Sequence, residues 1–485
     1  MIQRSLGHYE RYSLARHNVS HAPAVVFTAL IPSVSLNSPD RLLSAIRTLL
    51  DTEPLLSSSV ADSRTEDPKF KLHTGIDPKR VLVEMDSEEE GRDSLLRGIE
   101  IMTGLDIEQA PLWRVFQYPI RDGYGRISVA THHVICDGSS ARNLFLKFIT
   151  LLLDSNHNGL PSSNEIPFPP SLESTVDVKP SKLYLLRTLF STFLAPRLPS
   201  FLYTPPTPFW PNPARESPWN ETTGLRIFFL PQDLSTALAT VSKSHQTPTL
   251  QPVFTTAATC AIAITVLRRR SEKDNSPLRI VSQSPVSLRS PSLGHTSLCT
   301  GNYVSSISHS SPAPITPSYL SSTRFWSSTR EYSDHLKSPS SHQRAKEGMG
   351  LLAYLPTGMA ETQDAQGRDR TEWEQFFEDQ MKSENPWRGG SFEVSNLGRM
   401  NIETGGALEG VKEVCWAQPG SGAGVGIAFN TVSFGGQLSC ALSWRLNTTE
   451  TEVVEEIFEA YEQILRRIAK GEITEETTIF ELLPE

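Results

Sequence analysis

The segment Thr131-His132-His133-Val134-Ile135-Cys136-Asp137-Gly138 lies between two patterns that fix its surroundings. Before it, residues 126–133 read as a strand. Ile127, Val129, Thr131 and His133 share one face by period-two alternation, and Ser128, Ala130 and His132 share the other. The apolar face turns inward, so His133 ends a buried row. After it, residues 141–153 carry a helical apolar pattern, with Ser139 or Ser140 as the cap. The chain must therefore turn at Asp137-Gly138, between a strand end and a helix start, and it holds an imidazole there. With residue frequencies like this chain's, HHxxxDG arises by chance in on the order of one in a thousand such sequences. An imidazole held by a tight turn suits acid–base work, because it titrates near neutrality. A strand-end histidine can equally be structural, and an Asp-Gly pair can be a plain turn. A metal is not expected. Adjacent histidines on a strand face opposite ways, so His132 and His133 do not ligate one ion, and no Cys/His/Glu set at ligand spacing lies nearby.

The flanks alternate strands with helices. Residues 24–31 form a β-branched run of strand length. Ser38 then caps a helix with Pro39 in its first turn, and Leu42, Leu43, Ile46, Leu49 and Leu50 make its apolar stripe. Residues 112–120 and 126–133 read as neighbouring strands joined at Asp122, Gly123 and Gly125. The second half repeats the mixture, with strands at 225–230, 278–288 and 391–396. Residues 425–434 and 437–446 form a hairpin around Gly435-Gly436, and helices are expected at 250–270 and 452–470. The helix at 250–270 ends in three arginines, which suit its negative C-terminal end.

Between the halves, residues 161–218 hold 13 of the chain's 35 prolines, and proline forbids a long regular element. The expected division is residues 1–160, a proline-rich crossover over 161–220, and residues 221–485. Residues 305–341, rich in Ser, Thr and Pro, read as a long loop that packs through Phe325 and Trp326. Residues 183–203 are the most apolar stretch of the crossover. Arg187, Pro196, Arg197 and Pro199 interrupt them, so they should not span a bilayer. A buried, inter-domain packing role is the first expectation, with a membrane interface or a tunnel wall as the alternatives.

Lys and Arg number 45 against 54 Asp and Glu, a net charge of -9. That excludes a general nucleic-acid binder, which needs a concentrated cationic surface. Five cysteines with no CxxC pair give no disulfide framework and no thiolate zinc site. The opening residues carry Arg4, Arg11, Arg16 and Glu10 but no apolar run of signal-peptide type, and no stretch of about 20 apolar residues is uninterrupted. The expectation is a cytoplasmic protein without a transmembrane segment, able at most to touch a membrane peripherally.

His132-His133-Val-Ile-Cys-Asp137-Gly138 resembles the HHxxxDG signature of the CoA-dependent acyltransferase superfamily. That superfamily includes chloramphenicol acetyltransferase, the plant BAHD acyltransferases and nonribosomal condensation domains. The opening RSLGHYERYSLARH is similar to the start of fungal and yeast alcohol acetyltransferases. The segment from Gln283 to Arg289 resembles the one that supplies an arginine to the motif aspartate. Gly301-Asn302 and Ser395-Asn396-Leu397-Gly398 resemble later site-lining segments. The DFGWG of plant BAHD enzymes is missing, so that subgroup's substrates are not carried over.

The resemblance implies an α/β fold of two chloramphenicol-acetyltransferase-like mixed-sheet domains, a pseudo-dimer with a central tunnel, working as a monomer. His133 would be the general base. Asp137 would point away from the chemistry and pair with Arg289, Gly138 would permit the turn, and His132 would pack or orient. Asn302, Ser395 and Asn396 would be substrate-binding candidates, the last two also for stabilising an oxyanion. No cofactor would be bound, and acyl-CoA would be a co-substrate. Three readings stay open: an acyl-CoA-dependent O-acyltransferase acting on an alcohol or secondary metabolite, an N-acyltransferase or condensation-type enzyme using a carrier-protein thioester, and a binding role or other reaction on the same fold.

Overall fold

The computed structural model describes residues 1–485 except positions 22, 37, 88, 155–166, 200–201, 204–208, 211–221, 271–275, 277, 290–299, 312–313, 365, 383–388, 402–405, 407, 422–423, 447–448 and 484–485. Cys299 and much of the expected crossover lie outside the described residues. Two mixed sheets, each with its own apolar core, make a two-lobed α/β architecture.

The first lobe is built on a five-stranded sheet. Its central strand, Tyr124–His132, pairs antiparallel with Ala24–Pro32 on one side and Trp113–Arg121 on the other. Helices Pro39–Thr52, Gly91–Thr103 and Gly138–Leu153 bury Leu42, Ile46, Leu49, Leu95, Ile99, Phe145 and Phe148 in this core. The sheet is completed from the other half of the chain: Lys412–Ala417 pairs antiparallel with Ala24–Pro32. Trp416 on that strand stacks on Phe27 at 5.9 Å, and its Nε1 donates to the Thr431 carbonyl at 3.1 Å. This strand is absent from the sequence reading, because its six residues have no alternation and gain a partner only from the far half.

The second lobe has a six-stranded sheet ordered Val304–Ser310, Val281–Ser287, Gly390–Met400, Val425–Phe434, Gln437–Arg445 and Thr223–Leu230. Helices Leu250–Arg269 and Thr451–Ala469 pack together in its core. Leu250–Arg269 is long and apolar enough to cross a membrane by length and composition, but it is mostly buried in this core.

Three expectations are corrected. Residues 305–341 are not a loop: they form the edge strand Val304–Ser310 and helices Pro317–Ser322 and Phe325–Lys337, with Pro339–Gly350 following. Phe325, Trp326, Thr329, Tyr332 and Ser333 are its buried helical stripe, which the serine-rich composition obscured. Among the described residues of 183–203 only Ala195 is buried. The helix Lys182–Leu189 has no buried residue, because nothing described packs on its outer face. The cap of the helix after the histidines is Asp137, not Ser139 or Ser140: Asp137 Oδ1 accepts from the Ser140 amide at 2.7 Å.

Trp416 carries the seam between the halves. Replacing it with alanine should lower stability by about 3–5 kcal/mol, the usual cost of emptying a buried aromatic site. Urea denaturation of wild type and Trp416→Ala measures this.

Candidate active site

The strand Tyr124–His132 delivers two histidines to its end, and they go opposite ways. His132 is fully buried. Its Nδ1 accepts from the Val134 amide at 3.1 Å, so its proton sits on Nε2, 3.2 Å from His17 Nδ1. Burial pushes His17 down to about 4 and His132 well below its ordinary value, so this pair packs as neutral rings. His133 instead faces a cavity of about 540 Å³ lined from both lobes. Its amide donates to the Pro23 carbonyl at 2.9 Å, and its carbonyl accepts from Asn302 Nδ2. Tyr9 stands edge-on to its ring at 5.6 Å. Burial first, then the positive charge of Arg16, lowers His133 from 6.5 to about 4, while its own carbonyl and Asp137 oppose the fall. A neutral imidazole at ordinary pH can accept a proton, which an imidazolium cannot.

The turn that aims His133 is fixed by a buried carboxylate. Asp137 is 2% exposed through its side chain. Its Oδ2 accepts from the Tyr303 amide at 2.8 Å and meets Arg289 Nη1 at 3.2 Å. Arg289 also bonds Oδ1 at 3.3 Å, contacts Ser140 Oγ, and lies over the Tyr303 ring at 5.0 Å. The Gly301 carbonyl accepts from the Asp137 amide at 3.0 Å and from Ser140 Oγ at 2.6 Å. Thr300, one residue earlier, donates to the buried Glu53 at 3.2 and 3.1 Å, and Lys147 neutralises that carboxylate at 2.8 Å. The second half of the chain is thus bonded directly onto the histidine turn. Both Asp137 oxygens are thus engaged, while the residue also borders the cavity.

The constraint on Gly138 is a close neighbour rather than the turn's backbone, and the Leu397 side chain would have to give by a few tenths of an ångström to admit a Cβ. Its φ is not left-handed; a Cβ there would meet Leu397 Cδ2 at 3.0 Å, where the two lobes close on the cavity. Arg142, one turn on, donates to the Leu397 carbonyl at 2.7 Å. Ser395 and Asn396 line the cavity. The Asn396 side-chain oxygen accepts from the Gly398 amide at 2.9 Å, leaving its NH₂ group uncommitted by that bond. Asn302 is not among the lining residues and holds the His133 backbone instead.

The model of the alcohol acetyltransferase family matches residues 90–465, most of the chain. The chain belongs to the alcohol acetyltransferase family. An uncharacterized protein of Schizosaccharomyces pombe is 24% identical over 445 residues, covering 89% of this chain and 90% of that protein. Trichothecene 15-O-acetyltransferase from Fusarium sporotrichioides shares the fold with a TM-score of 0.61 at 12% identity, over 96% of this chain and 94% of that one. Polyketide synthase associated protein 5 from Mycobacterium tuberculosis does so with a TM-score of 0.60 at 15% identity, over 97% and 98%. The condensation domain of the monacolin K polyketide synthase gives 0.59 at 12% identity, over 97% and 99%.

For this alcohol acetyltransferase family member, sequence reasoning missed the helix His8–Asn18 as a wall of the site. Tyr9, Tyr12 and Arg16 recur at i, i+3 and i+7, and all three line the cavity. That spacing is present in the opening segment, alongside the arginines and the family likeness already noted there. Glu10 spaces this helix from below, accepting from the Gly7 amide at 2.6 Å and from Arg4 at 2.7 Å. Glu393 and Gln418 were also missed. They are bonded to each other in the cavity wall, and burial raises the Glu393 carboxyl above its ordinary value.

The pH dependence follows from these signs. Unfolded histidines take protons below about 6.5 that buried His17 and His133 refuse until about 4, and buried His132 is shifted down in the same direction. Stability should be complete above about pH 6.5 and fall as pH drops through that window, which thermal melts across pH 7 to 4 will measure. Arg16→Gln removes a charge that depresses His133, so the His133 titration should move up; NMR of the imidazole gives that shift directly.

Proposed function

We propose that this chain moves an acyl group from acyl-CoA to the hydroxyl of a small-molecule alcohol or secondary metabolite, with His133 as general base. The observation that carries the reading is a neutral, buried imidazole facing a cavity lined by both lobes. Family membership and the fold shared with a trichothecene O-acetyltransferase favour a hydroxyl acceptor.

In this reading His133 Nε2, the ring nitrogen that is not buried, takes the proton of the acceptor hydroxyl as its oxygen attacks the thioester carbonyl. The tetrahedral intermediate then collapses, the C–S bond breaks, and the imidazolium returns the proton to the departing sulfur. The products are the ester and free CoA, and no acyl-enzyme is needed. Proton transfer of this kind contributes about 10²–10⁴-fold, and holding two substrates in line supplies much of the rest. The Ser395 hydroxyl and the Asn396 NH₂ group are the donors we assign to the developing oxyanion. Asp137 and Arg289 act by position.

A carrier-protein thioester as donor is the second reading, favoured by the fold shared with a condensation domain. Both readings give His133 the same work and differ in the thiol released.

The test is thiol release from a panel of acyl-CoAs with a mixed pool of alcohols and amines, wild type beside His133→Ala. We expect acceptor-dependent CoA release that falls by about 10²-fold or more in the variant. Release that survives in His133→Ala would remove the histidine from the mechanism. Release with amines alone would replace the hydroxyl acceptor, and turnover with a carrier-bound thioester alone would favour the second reading.

A further inference from the structure

Seven of the fourteen large apolar side chains that stand exposed among the described residues fall within residues 183–202. Leu183, Leu186, Leu189, Phe190, Leu194 and Leu202 are between 44% and 65% exposed, all within one stretch of the crossover. They lie on the helix Lys182–Leu189, on the π-helical turn Phe190–Leu194 that continues it, and just beyond. Leu183, Leu186 and Phe190 recur at i, i+3 and i+7, one side of a helix. Single exposed leucines need no explanation, but a contiguous patch of them does.

This segment is not loosely attached. Its inner residues Leu172, Val178 and Ala195 are buried. The Val178 carbonyl lies so close to Gly350 that a Cβ there would sit 1.8 Å from it. The Ser181 amide donates to Glu347 Oε1 at 3.0 Å. The helix Pro339–Gly350 therefore holds the segment on one side, and on the other its Ala345, Gly348 and Met349 line the cavity. None of the exposed leucines lines that cavity; Leu186 and Phe190 instead border an open hollow beside Arg344 of the same helix.

Charge selects the partner. From Val178 to Tyr203 there is no Asp or Glu, whereas Lys179, Lys182, Arg187 and Arg197 are all exposed there, in a chain of net charge -9. Leucines and a phenylalanine flanked by cations match an anionic lipid surface, with apolar side chains among the acyl chains and cations among the headgroups. The exposed carboxylate nearest in sequence is Asp177, just before this run.

We propose that this segment is a peripheral membrane-docking surface for anionic bilayers, holding the cavity one helix away from the lipid. The proposal stands independently of the acyltransfer reading.

The test is flotation of the full chain with phosphatidylcholine vesicles, with and without phosphatidylserine. Wild type, Leu186→Ser/Phe190→Ser and Lys182→Gln/Arg187→Gln are compared. Wild type should float with the anionic vesicles. The apolar variant should lose about tenfold or more of its binding, and the charge variant should lose the gain due to phosphatidylserine. Melting temperatures and CoA release with a water-soluble alcohol should be unchanged in both, since these side chains are exposed and outside the cavity. Wild type that stays with the soluble fraction, or an apolar variant that floats as wild type does, would overturn the proposal. So would a dimer by light scattering that Leu186→Ser/Phe190→Ser dissociates, because a second copy would then cover the face.

Discussion

The buried carboxylate of Asp137 receives bonds from three separate stretches of chain. The Ser140 amide comes from the helix it caps, the Tyr303 amide from the second half, and the Arg289 guanidinium from the loop after another second-lobe strand. A charge so deeply buried is tolerated only when paired and hydrogen-bonded on every side. These bonds also fix where the chain must be after His133. If the carboxylate is satisfied, the helix Gly138–Leu153 starts where it does, segment 300–303 is docked, and the imidazole four residues upstream is aimed into the cavity. Glu53 repeats the device one residue before Gly301, with Lys147 as its cation.

The lobes meet through this seam and through the strand Lys412–Ala417, which leaves the second half to complete the first sheet. The cavity is therefore a property of the whole chain. Its walls come from the first helix, the histidine turn, the second-lobe sheet and the helix Pro339–Gly350. The same arrangement sets the electrostatics. Burial lowers the His133 titration, and Arg16 on the helix His8–Asn18 adds to the effect.

Much of this was legible in the sequence, and the misses have physical causes. The strand before His133, the helix after it and the terminal hairpin follow from periodicity, because each buries one face against its own neighbours. The local pattern offers Ser139 or Ser140 as the cap and the resemblance pairs Asp137 with Arg289; in the structure Asp137 does both. The helix Phe325–Lys337 hides its apolar stripe among serines. The strand Lys412–Ala417 has no local signature, since its partner lies almost 400 residues away in the chain. Residues 183–203 misled in the opposite sense. Their hydrophobicity implied burial, but hydrophobicity says only that water is avoided, and the structure leaves that face outward.

The account rests on Asp137 acting through position, and a double-mutant cycle tests that directly. Asp137→Asn keeps a helix cap while removing the charge, and Arg289→Gln removes its partner. The rate of acceptor-dependent CoA release is measured for each variant and for the pair together. If the two act as one clamp on the His133 turn, the double variant should be about as slow as either single one, with a coupling of about 1–3 kcal/mol. Losses that simply add, or an Asp137→Asn variant as fast as wild type, would contradict it.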